Sequence, residues 1–140
     1  MSYKIVAQYY KEISFEIPDA KTALLLEKGI KDYRFVCDIN SKKIKDNIIE
    51  VDVKLQLSPI DKTKDKIIYV SVNLASLVDV ETKVAKEELE KIILIKVPTE
   101  IYPTVRNMII FLFEKSGYKK ISIHDKIDFL KLYEKKKNQK

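Results

Sequence analysis

Few residues in this chain could do chemistry on a substrate. There is one histidine, His124, and one cysteine, Cys37, and they stand far apart in the sequence. A tetrahedral zinc site needs four ligands, usually drawn from Cys and His, so the pair cannot build one. A spatial Cys37–His124 pair remains open, but no nucleophile motif surrounds either residue. His124 is followed by Asp125 just ahead of an apolar-periodic stretch. A general base needs a positioned partner, so this dipeptide reads better as a helix N-terminal cap. Cys37 falls in line with Tyr33, Phe35 and Ile39 at strand spacing, which makes it a small core hydrophobe. A single cysteine closes no internal disulfide, and a reducing, cytoplasmic location is the expectation. Two glycines, Gly29 and Gly117, cannot form the phosphate-cradling loops that bind nucleotides. The expectation is therefore no catalytic residue, no metal, no cofactor and no enzyme activity.

Charge points the same way. The chain has 27 Lys and Arg against 21 Asp and Glu, a net charge of +6. Five lysines and a single glutamate fall in residues 131–140, so the excess is concentrated in a basic tail. Arg is the residue that grips phosphate and base edges bidentately, and only Arg34 and Arg106 are present. A lysine-rich solvated surface is expected, and no nucleic-acid partner. With 46% hydrophobic and 34% charged residues over 140 positions, the chain suits one folded domain with a real core. We expect that domain at 1–134, with 135–140 as the tail. Met1 to Gln8 contains no long apolar run, and the longest such run, Met108 to Phe113, is six residues. That is too short to span a bilayer, so neither a signal peptide nor membrane insertion is expected.

The elements that hold these residues follow from periodicity. Ile5, Ala7, Tyr9, Ile13, Phe15 and Ile17 occupy alternate positions, with Lys11 interrupting them. That predicts a strand with one apolar face and a bulge near Tyr10. Tyr9 and Tyr10 are adjacent, so one of them faces away from the core. Lys31 to Asn40 alternates again, and Asn40 to Asn47 reads as a loop. Ile49, Val51, Val53, Leu55 and Leu57 form the cleanest strand. A loop at Pro59–Thr63 precedes a fourth strand through Ile68, Val70, Val72 and Leu74. Strand runs joined by short polar loops predict an antiparallel meander.

After Val80 the period changes. Lys86 to Lys96 is a short helix that Pro98 should stop, and Pro103 suits the first turn of a new one. Val105, Met108, Ile109, Leu112 and Phe113 share one face of that helix, and Ile110 with Phe111 makes it apolar nearly all round. Gly117 closes it as a C-cap. One sheet face cannot cover such a helix on two sides. An oligomer with Val105, Met108, Ile109 and Leu112 in its interface is expected. A last amphipathic helix starts near Asp125.

Three segments carry a resemblance to a known family. Tyr9-Tyr10-Lys11-Glu12-Ile13-Ser14-Phe15-Glu16-Ile17-Pro18-Asp19-Ala20 resembles the opening strand of the SecB family of protein-export chaperones. Pro98-Thr99-Glu100-Ile101-Tyr102-Pro103-Thr104-Val105-Arg106 is similar to the family's entry into its long helix. Ile127-Asp128-Phe129 followed by Leu132-Tyr133 is similar to the start of its last helix. The order is right, and the segments span nearly the whole chain.

The resemblance implies an α+β protomer, a four-stranded antiparallel sheet followed by two helices. It implies a dimer of dimers, and an ATP-independent holdase that binds unfolded preproteins in apolar grooves and passes them to the SecA ATPase. Glu12 and Glu16 match acidic SecA-contact positions of the family, and Tyr69 matches an apolar one. Apolar surface left over from assembly should line the grooves, with Tyr10, Tyr102 and Phe111 as candidates. The fourth strand departs from the family pattern: Ser71 stands in place of an acid, and the glycines are gone. The basic balance departs too, because SecB proteins are typically acidic. A SecB-like chaperone dedicated to an antitoxin is the alternative reading.

Overall fold

The computed structural model describes residues 2–27, 33–61, 68–118, 121 and 123–138. Alternating sequence becomes strand in four places: β1 (Tyr3–Glu16), β2 (Tyr33–Lys45), β3 (Ile48–Pro59) and β4 (Tyr69–Val80). Helix α1 (Ala20–Glu27) sits between β1 and β2. After the sheet come α2 (Lys86–Lys91), a π-helical segment (Ile92–Lys96), α3 (Val97–Lys115) and α4 (Phe129–Asn138). The expected α+β class with an antiparallel sheet followed by helices is what forms.

The strand order is β1-β4-β3-β2. Only β2, β3 and β4 make the expected meander, and β1 closes beside β4 in a Greek-key order. The hairpin between β2 and β3 also differs from expectation. Asn40 to Asn47 is not a loop, because β2 continues to Lys45 and pairs it with Ile48. The turn is Asp46-Asn47, with Asp46 at φ 46°, a left-handed conformation that Asp tolerates better than most residues. Polar residues can extend a strand where both of its faces are wet. The loop expected at Pro59–Thr63 passes beyond Asp61 out of the described residues.

Two bulges decide which side chains of β1 face the helices. The register against β4 shifts between Ile5 and Ala7, and again between Tyr10 and Glu12. A one-residue slip moves every later side chain to the other face. Ala7 and Tyr9 therefore pair with Leu77 and Ala75 on the open face, not the apolar one expected. Tyr10 pairs with Leu74 and packs on the core. The second bulge lies where Lys11 breaks the pattern.

The core is a single layer between sheet and helices. Val51, Val53, Leu55 and Leu57 of β3 and Val70, Val72, Leu74 and Val78 of β4 meet Ile92, Val97, Ile101, Val105, Ile109 and Phe113, all buried. Burying each such side chain is worth roughly 1.5–3 kcal/mol. That total explains why the two prolines fail to stop the helix. The π-helical segment ends two residues before Pro98, with Val97 N–H bonded to Ile92 O. Pro103 lies inside α3. An interior proline costs about 3 kcal/mol, less than the apolar row of α3 returns.

The helix ends are capped as their residues require. Gly117, at φ 96°, donates to Glu114 O at 3.1 Å, and Tyr118 N donates to Phe113 O at 2.9 Å. The Tyr118 and Phe113 rings pack 6.3 Å apart, completing a Schellman motif. Asp19 caps α1 by accepting from Thr22 N at 2.8 Å. Asp128, not Asp125, caps α4 by accepting from Lys131 N at 3.0 Å, so that helix begins at Phe129. α4 runs through residue 134 and holds Lys135, Lys136 and Lys137 in its last turn. Tyr133 Oη donates to Glu90 at 3.0 Å and ties α4 back to α2.

Candidate functional site

A cleft of about 980 Å³ opens on the helix-facing side of the sheet at its β2 end. Its floor is sheet: Tyr33 and Phe35 of β2 with Leu55 and Leu57 of β3. One wall is Tyr102 of α3, and the other is the link that carries Ile123, His124 and Ile127. The rim holds Arg34, Asp125 and Lys126. The apolar floor takes side chains by shape and hydrophobicity, and the polar edge of Arg34, His124, Asp125 and Lys126 offers hydrogen bonds and charge beside it.

The walls are fixed from the core outward. Phe113 is the largest fully buried side chain, and the rings of Phe15 and Phe35 meet its ring edge-on at 5.1 and 6.5 Å. Phe35 thus reaches from the core into the cleft floor. Tyr102 Oη donates to His124 O at 2.7 Å, and Arg106 Nε donates to Ile123 O at 3.2 Å. Arg106 also lies 3.7 Å from Asp125. These bonds hold the link against α3. Burial raises the Tyr102 phenol above its ordinary value, so it stays a donor. Burial, and then Asp38 beside it, pushes the Cys37 thiol up to about 12, which leaves no reactive thiolate near the site.

The opposite face of the sheet is polar. The Lys11 ammonium reaches Glu50 and, at 3.0 Å, Asp52. Tyr9 Oη donates to Glu50 at 2.5 Å. Both carboxylates are buried beneath these longer side chains. The two acids hold the Lys11 ammonium well above its usual range, while Lys11 and Tyr9 hold Glu50 below its own. Further along, Ser71 Oγ donates to Glu12 at 2.9 Å, Ser14 Oγ donates to it at 3.1 Å, and Lys54 stands 3.8 Å away. Ser71, which stands where the resemblance places an acid, therefore orients Glu12.

The residues expected from sequence divide among these surfaces. Glu12, Glu16 and Tyr69 share the open face, and Glu16 and Tyr69 are direct cross-strand partners. Of Tyr10, Tyr102 and Phe111, Tyr102 lines the cleft. Tyr10 packs on the core from β1, and Phe111 is 51% exposed on α3. Val105 and Ile109 are completely covered within one chain, because the sheet takes that row of α3. Met108 and Leu112 are half-buried and keep surface to offer. Sequence reading missed Phe35, Leu57, Ile123 and Ile127 as cleft residues, taking Phe35 and Leu57 for strand core, Ile123 for a link and Ile127 for part of the last helix. It also missed Glu50 and Asp52, whose spacing showed only a wet strand face. Among the described residues no cluster of His, Cys, Asp or Glu could hold a metal ion. No described helix is long and apolar enough to cross a membrane.

Comparison with known proteins places this geometry. A family model described as "Preprotein translocase subunit SecB" matches residues 1–140. A chain of Pelagibacter ubique (strain HTCC1062) that bears the SecB name is 38% identical over 138 residues, 98% of each chain. Protein-export protein SecB of Orientia tsutsugamushi (strain Boryong) is 33% identical over 131 residues, 91% of this chain and 79% of that one. The Caulobacter vibrioides (strain NA1000 / CB15N) protein of the same name is 29% identical over 136 residues, 97% of this chain and 82% of that one. Among solved structures, the fold is similar to the Mycobacterium tuberculosis Rv1957 SecB-like chaperone in complex with a ChAD peptide from Rv1956 HigA1 antitoxin. The TM-score is 0.63 with 11% identity, covering 88% of this chain and 86% of that one.

Proposed function

The chain belongs to the SecB family of protein-export chaperones, and from that premise we propose that it is an ATP-independent holdase for unfolded preproteins. It keeps them in the cleft between β2, Tyr102 and the 123–127 link, on the cytoplasmic side, for delivery to the Sec export machinery. The observation that carries the reading is the cleft itself: about 980 Å³, floored by apolar strand side chains and open to an extended segment. An apolar floor inside a polar, charged rim sets few conditions on sequence and suits many clients.

Two finer statements belong to the same proposal. SecA docks on the open face of the sheet through Glu12, Glu16 and Tyr69, which lie on one surface. The protein assembles as a dimer of dimers through the outer row of α3, where Met108, Phe111 and Leu112 keep exposed surface. A second reading, a chaperone dedicated to an antitoxin, is supported by the fold shared with a chaperone bound to an antitoxin peptide.

The test is dilution of a chemically denatured protein into buffer with and without this chaperone, without ATP, followed by light scattering. Protection that survives raised salt is expected, because hydrophobic burial is not screened. No protection at several-fold molar excess refutes the reading. Protection that disappears at high salt moves the working surface to the lysines of α4. Binding to SecA, and its loss on joint Glu12→Lys and Glu16→Lys replacement, separates the export role from the antitoxin role.

A further inference from the structure

Helix α4 carries Lys131, Lys135, Lys136 and Lys137 against Glu134, a surplus of three charges and half of the chain's +6. One side of this helix is committed to the protein. Phe129 is buried, with its ring 6.2 Å from that of Tyr102. One turn on, Tyr133 Oη donates to Glu90 at 3.0 Å. One turn further, Lys137 reaches Glu87 at 3.5 Å and stands 5.6 Å from the centre of the Tyr133 ring. Positions four apart share a helix face, so these three contacts fix which side of α4 looks inward.

The other side has no such anchors. Lys131, Leu132, Lys135 and Lys136 point away from that row and are exposed, Leu132 by 48%. Among the described residues no carboxylate pairs with the three ammonium groups. The helix dipole favours lysines in a last turn, which accounts for Lys135 and Lys136. It does not account for Lys131 in the first turn, nor for an exposed leucine set among the lysines.

We propose that this side of α4 docks the protein on an anionic lipid bilayer. The ammonium groups of Lys131, Lys135 and Lys136 lie among the headgroups, and Leu132 enters the interface between them. A second copy would bring the same lysines and be repelled. An acidic protein surface is best gripped by the forked guanidinium of Arg, and α4 has none. Lysine is a point charge, which suits a diffuse negative surface. Ten residues of helix are about 15 Å long, so α4 lies on the bilayer and does not cross it. Each lysine held near such a surface strengthens binding by about fivefold, so three together give roughly a hundredfold. The proposal does not depend on client binding. On the chaperone reading, it brings loaded copies to the membrane that export crosses.

The test is sedimentation of the full chain with phosphatidylcholine vesicles, with and without phosphatidylglycerol. The expected result is binding to the anionic vesicles that is at least tenfold stronger than to the neutral ones and weakens with salt. Joint Lys131→Gln, Lys135→Gln and Lys136→Gln replacement should weaken it at least tenfold. Joint Lys42→Gln, Lys43→Gln and Lys45→Gln replacement removes the same charge from exposed lysines of β2 and should weaken it less than twofold. The chain has no tryptophan, so Leu132→Trp supplies a single reporter whose emission should shift to the blue on anionic vesicles. Circular dichroism checks that each variant is folded. Absence of wild-type binding to anionic vesicles at low salt overturns the proposal. Equal losses in the two triple variants overturn it too, because net charge alone then explains binding. Unchanged tryptophan emission while the protein sediments overturns α4 as the docking side. A polyglutamate peptide that binds the wild type when vesicles do not transfers this side to an acidic protein and overturns lipid docking.

Discussion

Phe111→Asp should take the assembly apart while leaving the protomer folded. Phe111 is 51% exposed on the outer row of α3, with the Lys115 ammonium 5.6 Å from its ring centre. A phenylalanine side chain offers roughly 200 Å² to bury, so about 100 Å² remains for a neighbour to cover. At about 25 cal/mol per Å², that is roughly 2.5 kcal/mol per ring, and about 5 kcal/mol when both copies of a two-fold contact lose it. The dissociation constant then rises by about three to four powers of ten. Ile109→Asp is the contrast, only two positions away but fully buried against the sheet. There an unpaired carboxylate enters the core, and the protomer itself should unfold. Light scattering coupled to size exclusion measures the mass of each variant, and far-ultraviolet circular dichroism reports the fold. A Phe111→Asp protein that keeps the wild-type mass on dilution to nanomolar concentration would refute the assignment of this row to an interface. So would a wild type that is monomeric at micromolar concentration.

Three other perturbations test the interior. Phe113→Ala removes a side chain 1% exposed that touches the rings of Phe15, Phe35 and Tyr118, and should cost about 3–5 kcal/mol. A thermal midpoint lower by roughly 10–20 °C is expected, and a drop of only a few degrees would contradict the packing described. The Glu50 carboxyl is held below its ordinary value by Lys11 and then Tyr9, so its contribution is present at neutral pH and lost as pH falls through the lowered folded value. Lys11→Met should flatten that loss in urea unfolding followed from neutral to acid pH, and an undiminished slope in the variant argues against the network. The Cys37 thiol, pushed up to about 12, should resist maleimide at neutral pH in the native protein and react on unfolding. Fast native labelling would show that the strand is not packed as described.

Side-chain alternation is a local property, and it was enough to find all four strands. The faces were harder. Tyr9 reads as an apolar-face residue until the slip between Ile5 and Ala7 is known, and nothing in the local pattern reports that slip. The partner of β1 is equally hidden, because β1–β4 pairing joins segments that the sequence separates by two other strands. Pro98 and Pro103 carry the usual stop and start signals, and burial of Val97, Ile101 and Tyr102 overrides them. Helix α1 did have a readable signal, Asp19 ahead of Ala20 to Thr22, which the proline before it obscured. The cleft was the least legible feature. Phe35 and Leu57 have the pattern of core residues, and only the arrangement of α3 and the link beyond them leaves room above their side chains.

The position of β1 has a consequence during synthesis. Glu16 pairs with Tyr69 and Tyr3 with Val80, so the first strand made must wait for the last. At roughly 5–20 residues per second, the intervening chain takes about 3–10 s to emerge. Through that interval Ile5, Tyr10, Ile13 and Phe15 have no sheet to join, while β2 and β3 can already close their two-residue hairpin. Long-range closure of this kind also slows refolding of the finished chain, since the loop must be ordered before the pairing rewards it. Each newborn copy therefore passes through a state with an aromatic, extended, unpaired segment exposed. On the proposed function finished copies would hold such segments, and their concentration would then set the yield of new ones.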